Sequence, residues 1–163
     1  MRVAVISALF PVFAAPAQSA LAQAPSPTLT SATAEAIIAG CKAHAAAKRQ
    51  SHAIAVLDGG GDAVATLRMD GNRPGIMAFA EQKAKATANW GFATAAMADA
   101  ARTTPGFDHA PFVVTVAGGV PVFASDGSAM IGAVGVSGEA PTDDAACAEA
   151  GIRAAGLSSQ RRR

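Results

Sequence analysis

The chain has 163 residues, 51% of them hydrophobic, and a formal net charge of +1. Such length and composition support one domain with a real core and exclude a disordered chain. The near-neutral charge argues against a nucleic-acid partner, and the closing Arg161, Arg162 and Arg163 read as the end of a solvated basic tail over residues 158–163.

The first residues read as an export signal. Arg2 precedes an apolar run over residues 3–15 that Pro11 interrupts. Small residues at Ala20 and Ala22 suit cleavage after Ala22, with cleavage after Ala24 as the alternative. The run is too short and too broken for a spanning helix, so no stable membrane span is expected after cleavage. The expected organisation is a signal peptide over residues 1–22, a linker over 23–29 and one domain over 30–157. The mature protein is expected to be periplasmic or secreted. In that compartment Cys41 and Cys147 read either as one bridge between two helices or as two buried thiols.

Helix one is expected over residues 31–48, capped by Thr30 or Ser31, with Ala34, Ile37, Ile38, Cys41 and Ala45 at helical spacing. "HAIAVLDGGGDAVATLRMD", residues 52–70, holds two β-type runs around a Gly-rich turn. Pro74 suits a helix start, and the next helix runs to Trp90. Its stripe contains Ile76, Phe79, Ala80, Lys83, Ala84 and Thr87. "FATAAMADAART" is a further short helix, ended by Thr104, Pro105 and Gly106. Three strands are expected next: residues 111–118, then "VPVFAS", then "AMIGAVGVSG", the last two joined at Asp126 and Gly127. A closing helix follows, capped by Thr142 with Asp143 and Asp144 in its first turn.

Tight turns between successive strands favour antiparallel pairing. The expected fold class is α+β: an α/β/α layered domain with a five-stranded antiparallel sheet and helices on both faces, close to a profilin-like or roadblock-like layout. Helix one and the closing helix sharing a face would let Cys41 meet Cys147.

"VLDGGGDAVATLRMDG", "AEQKAKATANW", "GGVPV" and "IGAVGVSG" occur in this order, with the aspartate pair behind them. This combination resembles the GlcG/HbpS family, including the C-terminal domain of PduO-type proteins, over about residues 29–157. The resemblance implies a compact α/β/α domain, non-covalent haem or related tetrapyrrole binding, and a homo-oligomer. It also leaves open an accessory enzyme of small hydroxy-acid or diol metabolism, or a structural subunit of a larger assembly.

Haem iron takes imidazole, so His44, His52 and His109 are the candidate ligands. His109 stands out because Phe107 and Phe112 flank it, and it is the expected iron ligand. His52 opens a strand, where clefts often form, and the Thr115 hydroxyl is a further candidate. Each histidine has a plainer reading as a packed or surface residue. The haem propionates want cations, for which Arg68, Arg73 and Lys83 are candidates. Arg68 reads equally as an ion-pair partner of Asp70 or Asp58, and Lys83 as a stem covering apolar helix surface.

No catalytic residue is assigned. Ser137 lacks a nucleophile elbow, no CxxCH motif is present for covalent haem, and acidic residues around both Gly-rich turns disfavour a phosphate loop. The glycines of the last strand instead leave a flat strip, suited to a close-packed helix or subunit, or to a planar ligand.

Overall fold

The computed structural model describes residues 27–162. The expected signal peptide, and all but the last residues of the expected linker, lie outside them. The elements are α1 (Ser31–Lys48), β1 (Ala53–Asp58), β2 (Ala63–Arg68), α2 (Pro74–Trp90), α3 (Thr94–Thr103), β3 (Gly119–Phe123), β4 (Met130–Ser137) and α4 (Pro141–Ala154). A single 3-10 turn, Phe107–His109, lies between α3 and β3.

The strands form one antiparallel sheet in the order β2-β1-β4-β3. Asp58 Oδ1 accepts from the Gly60 and Asp62 amides at 2.9 and 3.0 Å, so one aspartate folds the Gly-rich turn between β1 and β2. Asp126 does the same for the next hairpin, accepting from the amide and hydroxyl of Ser128.

The class is α+β as expected, but the sheet has four strands among the described residues, not five. Residues 111–118 make no ladder. Phe112 turns the chain with φ of 61°, and Val113 bonds back to the Ala110 carbonyl. The Trp90 indole donates to the Pro111 carbonyl at 2.9 Å, which holds the start of this segment away from the sheet. Beyond β3 the C-terminal segment takes part of the vacant edge. Phe123 and Ser158 exchange both backbone bonds, and the Arg162 amide donates to Gly127. The basic tail, expected as a solvated end, keeps exposed side chains but has an anchored backbone.

Helices cover both faces of the sheet. On one face α1 and α4 bury Ile37, Cys41, Cys147 and Ile152 against Ile54, Val56, Val134 and Val136. The helix-spaced set Ala34, Ile37, Cys41 and Ala45 points inward, and Thr30 caps α1 by accepting from the Thr33 amide at 3.2 Å. Cys41 and Cys147 form the disulfide, with their Cα atoms 4.7 Å apart. On the other face α2 packs Ala80 and Ala84 on Ala53, Ala55 and Leu57.

The glycine strip of β4 has its explanation here. A Cβ on Gly135 would lie 1.9 Å from the Ala80 carbonyl oxygen and 2.6 Å from the Ala84 amide nitrogen. The space is filled by the backbone of α2, which rests directly on the strand. Gly119 follows the same logic, since a Cβ there would meet the Lys83 carbonyl and Thr87 Oγ1, both at 2.5 Å.

Candidate functional site

Close packing of α2 on the sheet encloses a polar cluster inside the fold. Lys83 belongs to the apolar stripe of α2 and is buried with it. Its Nζ donates to Asp144 Oδ2 and to the Val136 carbonyl, both at 2.9 Å. The other carboxylate oxygen of Asp144 accepts from His52 Nδ1 and from the Glu139 amide, both at 3.1 Å. The Nδ1 contact fixes the proton on that nitrogen, since a carboxylate only accepts. His52 Nε2 and Thr87 Oγ1 are buried without a partner among the described residues.

This network joins α2, α4, β4 and the start of β1, and it differs from the roles expected of its members. Asp143 and Asp144 lie in the first turn of α4 as expected, but Asp144 is paired with Lys83 and His52; α4 starts at Pro141 with Ala140 as its N-cap and no side-chain cap. Thr142, expected as the cap, lies inside the first turn. Lys83 meets a carboxylate of its own chain, and its Nζ also lies 4.8 Å from the centre of the Phe79 ring. Such a cluster stiffens the join between elements, and its atoms are closed to an external ligand.

The other candidates lie elsewhere. His44 is half-buried on α1, with Nε2 out of contact with solvent. Its imidazole is held below the ordinary histidine range, chiefly by burial and then by the Lys48 charge. Arg68 is exposed and donates to the Asn72 carbonyl. Arg73 is the exposed N-cap of α2, and Thr115 is exposed in the segment before β3.

His109 is the accessible imidazole of the three, 86% exposed, with only Asp108 nearby at 3.8 Å. It closes the 3-10 turn that Phe107 opens. Phe107 packs edge-on against Trp90 with ring centres 5.0 Å apart, and stacks on Phe92 at 6.5 Å. Trp90 is partly exposed, and Phe112 presents 61% of its surface. Phe92 also lines a cleft of about 710 Å³ between the start of α3, the β3 edge and the C-terminal segment. Pro121, Phe123, Glu149, Arg161 and Arg162 complete its main walls.

The seven sequence candidates therefore do not converge on one place. His52 and Lys83 both bond Asp144 in the interior, whereas His109 is exposed on the turn that carries Phe107. Among the described residues, no group of three or more His, Cys, Asp or Glu could hold a bare metal ion. No helix there is long and apolar enough to cross a membrane.

A four-stranded antiparallel sheet between helical layers, with an aromatic cluster at the end of α2 and one accessible imidazole on the 3-10 turn after α3, defines a small α+β domain. The chain belongs to the HbpS-like family, described as haem degrading protein HbpS-like, whose model matches residues 29–153. A double mutant of HbpS from Streptomyces reticuli is 28% identical, with a TM-score of 0.74 over 88% of this chain and 97% of that one. The PduOC:heme complex shares the fold at 20% identity and a TM-score of 0.75, over 83% of this chain and 100% of that one. Klebsiella pneumoniae protein ORFY shares it at 22% identity and a TM-score of 0.74, over 84% and 97%. No curated protein matches the chain.

Proposed function

We propose that this chain is an exported protein that binds haem non-covalently, with His109 as the iron ligand. The observation that carries the reading is the accessible His109 imidazole on the same 3-10 turn as Phe107, whose ring packs with Trp90 and Phe92. A haem site needs an unoccupied donor next to an apolar wall, and this donor set fits that need. Membership of the HbpS-like family supports the same ligand class.

Bound haem supplies the iron and its redox chemistry. His109 would supply one nitrogen to hold it, and the rings of Phe92, Phe107 and Trp90 would supply apolar contact. His52 is held by Asp144 in the interior and serves the fold. Binding is the part these side chains account for, and it suits a buffering or sensing role. The disulfide supports an oxidising compartment, hence a periplasmic or secreted location after removal of residues 1–22. The exposed Phe112 supports a homo-oligomer that covers it.

Absorbance titration of the mature protein with haemin tests this reading. A saturable Soret band with a fixed ratio of haem to chain supports it. A spectrum that remains the sum of free haemin and protein refutes it.

A further inference from the structure

Residues 159–162 lie beyond the stretch matched by the family model, yet they form one wall of the 710 Å³ cleft. That volume falls within the roughly 300–1,000 Å³ of small-molecule sites. The wall is held in place by its backbone: Ser158 pairs with Phe123, and the Arg162 amide donates to Gly127. The Arg161 guanidinium lies 5.8 Å from the centre of the Phe123 ring. Arg161 is thus set over the Phe123 ring, and Arg162 lines the same cleft, whose apolar lining includes Phe92, Pro121 and Phe123.

Glu149 is the acid of the cleft lining, and it pairs with Arg153 at 3.6 Å. Arg162 also faces Asp126, whose acidity is raised first by the Ser128 hydrogen bonds and only in small part by Arg162. Among the described residues neither Arg161 nor Arg162 forms an ion pair, although both side chains are exposed. An apolar cleft lined by two arginines suits a planar apolar body with carboxylates at one end.

We propose that Arg161 and Arg162 bind the carboxylates of the tetrapyrrole, making the C-terminal segment a part of the site. The proposal rests on the haem reading above and extends it. Phe92 links the two regions, because it lines the cleft and also stacks on Phe107, two residues before His109.

Trp90 is the only tryptophan of the chain and packs on Phe107, so its emission reports binding at this cluster. The test titrates haemin and haemin dimethyl ester into the mature protein, the R161A/R162A double variant and the R161K/R162K double variant, following Trp90 quenching and the Soret band. The parent is expected to hold haemin roughly tenfold or more tighter than the ester, since charge-assisted bonds are the stronger class. The alanine variant should bind both forms as weakly as the parent binds the ester, with an unchanged Soret position, and the lysine variant should recover part of the loss. Haemin binding by the alanine variant with parental affinity overturns the proposal and leaves the haem reading standing. Equal affinity of the parent for haemin and ester overturns it as well. Failure of the parent to bind either form overturns both.

Discussion

Lys83 Nζ and Asp144 Oδ2 lie 2.9 Å apart, and their side chains are only 1% and 2% exposed. A buried cation and its carboxylate each lose water on folding, and the pair is tolerable only because further hydrogen bonds complete it. Here the Val136 carbonyl, the Glu139 amide and His52 supply them. The pair fastens α2 and α4 to the same end of β4.

Replacing one member leaves the other charge buried and unmatched. Lys83→Met should cost about 3–5 kcal/mol of stability, the usual range for a broken buried pair. The double variant Lys83→Met/Asp144→Leu should lose less than the sum of the two single changes. Urea unfolding of the four proteins measures both effects, and strictly additive losses would contradict the pairing.

Gly135 and Gly75 are both glycines, but only one has a backbone against it. Gly135→Ala places a Cβ within 1.9 Å of the Ala80 carbonyl, so the helix must lift off the strand. The expected loss is at least about 3 kcal/mol, the upper end of the overpacking range, or failure to fold. Nothing lies within 4 Å of the equivalent atom on Gly75. Gly75→Ala should therefore be neutral or stabilising by up to about 1 kcal/mol, as alanine favours helix. Thermal unfolding of the two variants distinguishes them.

Much of this was legible in the sequence. The spacing in α1 and the residues of the two hairpin turns have local causes and appear where expected, and the small side chains of β4 marked a close approach that α2 fills. The long-range cluster was only half visible. Lys83 stood in the apolar stripe of α2, the mark of a cation that must find an acid inside. Asp144 looked like a helix-dipole residue, and nothing local shows that α4 turns it toward α2. His52 gave no sign either, because its partner is distant in sequence. The missing strand has a related cause. "PFVVTV" has β-type composition, but Phe112 takes a left-handed backbone and Trp90 captures the Pro111 carbonyl. Tertiary context overrode composition there.

The Cys41–Cys147 bridge closes a loop of 106 positions between α1 and α4. In the chain-entropy model such a loop restricts the unfolded chain by about 5 kcal/mol. The C41S/C147S variant should lose a large part of that while the two helices remain in place. Denaturant unfolding with and without dithiothreitol checks it: the reductant should lower the midpoint of the parent and leave that of the variant unchanged.

His44 gives a pH dependence of known sign. Its folded value lies below the ordinary one, so the folded state prefers the neutral ring. That contribution is whole above about pH 6.5 and is lost as the pH falls through this value toward the folded one. Stability should drop between pH 7.5 and 5.5, and His44→Gln should drop less. A variant whose urea midpoint falls as steeply as the parent's would contradict the assignment.

The most direct test of the account compares the Soret band of haemin-loaded parent and His109→Ala. His109 is exposed and makes no contact that the fold requires, so the variant should unfold at the parental temperature. The account predicts loss or a marked blue shift of the band in that folded variant. A parental Soret band in folded His109→Ala would contradict it.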